Sequence, residues 1–227
     1  MYQTIVNNFV FDVDVDAAQL KGWDESVQIT RGTQIVPTTV DGKLVTSICE
    51  KAFECTYIEH LELPATIHVI GKEAFRGSSI KSVIFYADEK HSFSRQLKIE
   101  QSAFKDCILL EHFSTMQFID VGYLAFCGCV KLRNGAVSKL YFYLIHPEAF
   151  ACTQNLKEIH ISQNGWLQVN ALKNSSITDV YFAEYAKIAE KNIDYFKNKG
   201  IFLHVYPESS LMELAYEGIY VEESLPF

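Results

Sequence analysis

The dipeptide Ala-Phe recurs along this chain at a spacing that a single folded core does not generate by chance. It stands at Ala52-Phe53, Ala74-Phe75, Ala103-Phe104, Ala125-Phe126 and Ala149-Phe150, with a degenerate copy at Ala171-Leu172. The second residues of these pairs follow one another at intervals of 22, 29, 22, 24 and 22 residues. A period in that range marks one supersecondary unit used repeatedly, and such a unit buries its apolar side only by stacking on its neighbours.

The surroundings of the dipeptide repeat as well. Ile48, Ile70, Ile99, Ile119, Ile145 and Val169 precede the pairs, and the small residues Cys55, Gly77, Cys107, Cys129, Cys152 and Asn174 follow them. Next comes an apolar triplet spaced L-x-x-L-x-L. It reads Ile58-Leu61-Leu63, Ile80-Val83-Phe85, Leu110-Phe113-Thr115, Leu132-Gly135-Val137, Leu156-Ile159-Ile161 and Ile177-Val180-Phe182, with the fourth copy interrupted by Gly135. Alternation at the end of each triplet predicts a half-buried strand. The Ala-Phe segment, flanked by polar residues, predicts a short helical turn on the opposite wall. Stacking then places Phe over Phe in columns about 4.8 Å apart, each ring contributing roughly 2–3 kcal/mol of burial.

With these residues in view, the chain resembles the BspA-like leucine-rich-repeat family. The run Val40-Asp41-Gly42-Lys43-Leu44-Val45-Thr46-Ser47-Ile48, followed by Ala52-Phe53, Cys55 and Leu61-Glu62-Leu63-Pro64, carries the likeness, and Ile70-Gly71-Lys72-Glu73-Ala74-Phe75 continues it. It extends over about residues 35 to 217. The resemblance implies an α/β class leucine-rich-repeat solenoid, right-handed, rich in β-strand with short helical turns, and capped at both ends. It also implies a surface or secreted protein that binds host proteins or other cells. The chain departs from the family in a seven-residue surplus around Tyr86 to Gln96 and in the absence of an export signal at its start.

One continuous domain is expected, in three parts. Residues 1–34 form an N-terminal β cap, in which Phe9, Phe11, Val13 and Val15 make the apolar face of a strand. Further strands are expected at Val27-Gln28-Ile29-Thr30 and Ile35-Val36, and a hairpin turn at Asp41-Gly42. Residues 35–182 form the solenoid. Residues 183–227 form a helix-strand-helix cap: Tyr185, Ile188, Ala189, Ile193 and Phe196 line a helix over 183–199 that Gly200 stops, Ile201 to Tyr206 is a strand, and Ser210-Leu211-Met212-Glu213 opens a last helix. The surplus Asp88 to Arg95 breaks the period and must bulge outward as a loop.

Charge and motif searches narrow the function. Net charge is −8, and Lys187, Lys191, Lys197 and Lys199 are interrupted by Glu190 and Asp194, so no basic footprint for nucleic acid exists. No apolar run is long enough for a membrane span, and Met1 to Asn8 lacks the pattern of a signal peptide, which points to the cytoplasm, with cell surface or secretion as the alternative for a trimmed chain. Cys55, Cys107, Cys129 and Cys152 share one repeat position and predict a column of small buried thiols. Cys127-Gly128-Cys129 lacks a second pair for zinc. Asp12-Val13-Asp14-Val15-Asp16 lacks the Gly and Glu of a calcium loop, since Ala17 and Trp23 hold those places. No hydrolase or phosphate-binding motif occurs. No metal, cofactor or catalytic residue is expected.

If the triplets point inward, the residues between them form the concave face. They are His60, Glu62, Ser82, Ile84, His112, Ser114, Asn134, Glu158, His160, Asp179, Tyr181 and His204. Mixed polar and aromatic strips of this kind suit protein or glycan recognition. The expectation is a non-catalytic binding module; the alternatives are a structural or adhesive unit of a larger assembly and, more remotely, a hydrolytic enzyme.

Overall fold

The computed structural model describes residues 1–29, 32–87, 96–134, 140–205, 209–217 and 220–223. The expected loop Asp88 to Arg95, the triplet residues Gly135 and Val137, and Tyr206 lie outside the described residues. The rest winds as a β-solenoid in which each unit contributes two strands and a turn, a three-sided cross-section where the repeat had suggested two sides.

The triplet strands make the first wall. Thr33–Ile35, His60–Pro64, Ser82–Tyr86 and His112–Ser114 lie in parallel, in register His60↔Ser82↔His112. The Ile positions make the second wall, which spacing alone had not resolved into strands: Lys43–Ile48, Val69–Ile70, Gln96–Ile99, Phe118–Val121 and Tyr141–Ile145. These belong to the larger sheet, which counts fourteen strands among the described residues. The two walls fuse at the ten-residue strand Glu158–Leu167. Its first part pairs with Asp179–Phe182, which pairs in turn with Phe202–Val205, continuing the triplet wall. Its last two residues pair with Leu144–Ile145 and with Lys187–Ile188, continuing the Ile wall.

The third wall consists of the Ala-Phe segments, and it is not helical. Phe53, Phe75, Phe104, Phe126 and Phe150 donate their N–H groups to the carbonyls of Ala74, Ala103, Ala125, Ala149 and Ala171 at 2.7–2.9 Å. These bonds run along the stack, as a sheet's do. Lys51, Glu73, Ser102, Leu124, Glu148 and Asn170, each just before the Ala, have φ between 54° and 59°. L-residues do not continue a right-handed helix through that conformation. Each segment is therefore a run of β-turns, with bonds such as Ala74 N–H to Gly71 and Arg76 N–H to Glu73. Where the chain turns into this wall, Gly71 and Gly122 press on the preceding unit: a Cβ there would lie 2.7–2.9 Å from backbone atoms of residues 48–50 and 99–101.

Inside, the Phe rings form one column. Phe53, Phe75, Phe104, Phe126 and Phe150 stack with centroids 5.1, 4.9, 5.1 and 5.3 Å apart, tilted from parallel by 11° or less. All are buried. Phe113 meets Phe104 and Phe126 edge-on at 5.6 and 5.5 Å, so the triplet wall braces the column from the side.

At the ends, several expectations change. The strand expected to carry Phe9, Phe11, Val13 and Val15 is the second arm of a hairpin, Tyr2–Val6 and Phe9–Val13, turned by Asn7 and Asn8 at positive φ, and Val15 lies beyond it and is exposed. Ala18–Trp23 adds a third strand, and Val27 to Ile29 is not a strand. Asp41 and Gly42 make the expected hairpin turn. Phe9 and the first column ring, Phe53, meet edge-on at 6.3 Å. Gly22 (φ 147°) lies so close to the Ala52 carbonyl that a Cβ would be 2.5 Å from its oxygen.

At the far end the helix spans only Asn192–Lys199, because Tyr185 has φ 58° and Lys187–Ile188 extends the Ile wall. Gly200 (φ 63°) ends it as expected. Buried Asn192 accepts from the Asn170 N–H and donates to the Gln168 carbonyl, and Tyr195 donates to the Leu172 carbonyl at 2.7 Å. These side chains replace the backbone partners that a further turn would supply. Ser210–Glu217 is a 3-10 helix, and the chain then returns as an unanticipated strand, Tyr220–Glu223, beside Phe202–Val205.

Candidate binding surface

Strand alternation buries Leu61, Leu63, Val83, Phe85 and Phe113 and turns His60, Glu62, Ser82, Ile84, His112 and Ser114 to the other side of the triplet wall. Register brings them into two rows, His60-Ser82-His112 and Glu62-Ile84-Ser114. His60 Nδ1 lies 2.8 Å from Ser82 Oγ, and Ser82 is consequently buried. His112 Nε2 lies 3.1 Å from an Arg133 guanidinium nitrogen. A guanidinium only donates, so Nε2 accepts and the His112 proton sits on Nδ1. Ile84 is 42% exposed between these polar groups, an apolar point on a wettable face.

Beyond the fusion of the walls, the same face carries a stack of rings. His160, Tyr181 and His204 occupy equivalent register positions. Their centroids are 4.5 and 4.1 Å apart, with tilts of 15° and 9°. Glu158 sits 3.3 Å from His160 Nε2, and Asp179 sits 2.8 Å from His204 Nε2. Ring contacts continue further than the repeat indicated, tilted at Tyr141 (5.9 Å from His160) and edge-on at Phe118 (6.4 Å from Tyr141). Those two residues belong to the Ile wall. Only the fusion of the walls brings them alongside, and no spacing in the sequence signals it. Asn134 is engaged differently: its Oδ1 accepts from the Lys157 and Glu158 N–H groups and its Nδ2 donates to the Glu158 carbonyl. It clips two units together.

Catalytic chemistry finds little support in this geometry. Ser82 and His60 have the contact of a nucleophile and its base, but the Ser82 N–H is already bonded to the Glu59 carbonyl and the strands on both sides pair with this one, which engages the backbone donors nearest the hydroxyl. Among the described residues, no three His, Cys, Asp or Glu side chains converge as metal ligands. No helix among them is long and apolar enough to cross a membrane.

The thiols divide into two classes, contrary to the single column expected. Cys107 and Cys129 are buried; Cys55 and Cys152 are exposed. The exposed pair occupies the positive-φ corner that Gly77 and Gly128 hold in other units. The buried pair lies one residue later, where other units have Thr56, Ser78 and Thr153. Cys107 Sγ donates to the Phe75 carbonyl at 2.9 Å and Cys129 Sγ to that of Phe104 at 3.0 Å, each reaching the preceding unit, whereas the Thr56 and Thr153 hydroxyls bond within their own units to Phe53 and Phe150. Burial pushes the Cys107 thiol up to about 12 and that of Cys129 well above its ordinary value. These thiols are unreactive parts of the interior.

Comparison with known proteins agrees with this architecture. Residues 35–92 and 89–200 match the model of the BspA type leucine-rich repeat region in six copies. Among solved structures, a leucine-rich cell surface protein from Faecalibacterium prausnitzii superposes with a TM-score of 0.63 at 16% identity, over 92% of this chain and 55% of that one. This chain thus spans about 55% of that protein's length. The leucine-rich repeat protein of T. pallidum gives a TM-score of 0.48 at 18% identity, over 84% of this chain and 82% of that one. No curated protein matches the chain significantly.

Proposed function

The chain belongs to the BspA-type leucine-rich-repeat family, and from that premise we propose that it is a non-catalytic recognition module that captures a protein partner on the outward face of its triplet wall. The carrying observation is that the face is preorganised without being needed for the core. His60, Ser82, His112, Tyr181 and His204 are held by one another and by Asp179 and Arg133, so binding need not freeze them. The faces of Tyr181 are covered by His160 and His204, His160 being buried at 2% exposure against the surface position expected of it, and the partly exposed carboxylates of Glu158 and Asp179 border the stack. That chemistry suits hydrogen bonding to a protein better than stacking on a sugar. The cell surface is the matching location, as in the F. prausnitzii protein of the same fold.

The test is capture of a partner from source-cell extracts by the wild type and by an Ile84→Asp, His112→Ala double variant. Both substitutions fall on exposed positions, so melting should not change while capture falls at least tenfold. Equal capture by the variant removes this face from consideration. A second reading, an adhesive unit, is favoured by the edge strand Tyr2–Val6, on which Ile5 is 57% exposed. It predicts concentration-dependent association in sedimentation, and a monomer at every concentration opposes it.

A further inference from the structure

We propose that the cleft where the two walls fuse is a binding site for a neutral carbohydrate, taking one or two pyranose rings of a glycan. The cleft is an open groove of about 270 Å³, lined among the described residues by Gln96, Phe118, Tyr143, Ser162 and Gln163. Its lining residues lie outside the two rows of the partner-binding face, and it meets that face only at Phe118, where the chain of rings from His160 ends.

The backbone builds this site deliberately. Phe142 pairs with Ile119 and Ile161, while Leu144 pairs with Asp120 and Trp166, so Tyr143 is skipped by the ladders on both of its sides. A residue left out in this way is turned out of the sheet, as β-bulges turn side chains toward sites. Tyr143 is 46% exposed and Phe118 is 50% exposed. On the facing strand, Ser162 to Gly165 are also left out of the pairing. The bulge is pinned by the Ser162 hydroxyl on the Phe142 carbonyl at 3.1 Å and by the Asn164 N–H on the Glu184 carbonyl. Gly165 closes it, since a Cβ there would lie 2.8 Å from the Ile161 side chain. Gln163 is oriented by its amide NH2 on Glu184 at 3.2 Å, and an amide held by its nitrogen retains its oxygen as an acceptor.

The lining selects the ligand class. Among the described residues it contains no charged side chain, so a charged ligand would lose hydration there without gaining a counter-ion from them. A wholly apolar ligand would cover the Gln163 amide oxygen without offering it a donor. A pyranose ring has a face of C–H groups, which suits the negative face of an aromatic ring, and a rim of hydroxyls, which suits amides. The volume is slightly under the roughly 300–1,000 Å³ of drug-sized sites, which limits occupancy to one or two rings.

The experiment titrates the full chain with cellotetraose, maltotetraose and chitotetraose by calorimetry and saturation-transfer NMR. At least one should bind saturably with Kd of about 1 mM or tighter. Tyr143→Ala and Phe118→Ala should each weaken it about tenfold, the loss of one ring contact, and Tyr143→Trp should preserve it. The Ile84→Asp, His112→Ala double variant should bind the sugar as the wild type does, which separates this site from protein capture. If Phe118→Ala melts early, Tyr143→Ala alone decides, because that side chain stands outside both ladders. Saturable binding by none of the three sugars, or binding indifferent to Tyr143→Ala, overturns the proposal. So does preference for a sulfated or uronic-acid oligosaccharide over the neutral ones.

Discussion

Phe104→Ala is the most informative single perturbation of this fold. Phe104 is fully buried, stacked 4.9 Å from Phe75 and 5.1 Å from Phe126, with Phe113 edge-on at 5.6 Å. Deep aromatic truncations cost about 3–5 kcal/mol through lost transfer and the cavity left behind. The upper part of that range is expected, because neighbours locked in register on two sides cannot collapse into the gap. Phe104→Leu retains most of the burial and loses the ring contacts, so it should cost about 1–2 kcal/mol. Phe150 has a ring stacked on one side only, and Phe150→Ala should cost less than Phe104→Ala. The measurement is equilibrium urea unfolding followed by far-UV circular dichroism and by tryptophan fluorescence, with coincidence of the two probes as the check on two-state behaviour. A loss under about 1 kcal/mol for Phe104→Ala would refute the column as the source of stability.

Three further outcomes follow from the geometry. Gly122→Ala places a methyl 2.8–2.9 Å from the backbone of residues 99–101 and should cost about 1–3 kcal/mol in the same unfolding assay; an unchanged midpoint would mean that the units are not in that contact. A thiol reagent at about pH 8 should label Cys55 and Cys152 in the folded protein and reach Cys107 and Cys129 only on unfolding; uniform labelling would reject the two classes. Cys107 has its thiol pKa raised from 9.0 to about 12 by burial, so the folded state favours the protonated form. That contribution is complete below about pH 9 and is lost as pH rises through 12, amounting to at most about 4 kcal/mol. Cys107→Ser should therefore show a shallower alkaline loss of stability than the wild type, and parallel curves would refute the assignment.

Much of this was legible because the repeat speaks through side chains. Phe53 to Phe150 had to share one column, and Leu61, Val83 and Phe113 had to share one face, since only stacking buries them. What could not be read depends on backbone conformation and on pairing between distant strands. Lys51, Glu73, Ser102, Leu124 and Glu148 hold positive φ without being Gly or Asn, so nothing in their chemistry distinguishes a run of turns from a helical turn. Cys55 and Cys107 differ by one residue in phase, and that step separates an exposed corner from the interior. Tyr185 and Ile188 fitted a helical stripe until Lys187–Ile188 was claimed by the Ile wall, a tertiary override of local pattern. In the binding strip, the positions followed from alternation. The stack of His160, Tyr181 and His204 also needed the register, and Phe118 and Tyr143 needed the fusion of two walls.

The sheet order places Tyr2–Val6 at one extremity and Tyr220–Glu223 at the other, with the intervening rungs bonded along the stack to their neighbours. Tension applied between those extremities therefore loads the hydrogen bonds of each rung in series, along their own direction. Strands in that arrangement peel one after another and are not sheared together. Pulling between those two strands should therefore register as a series of small extension steps in force spectroscopy, and one large rupture would contradict the series arrangement.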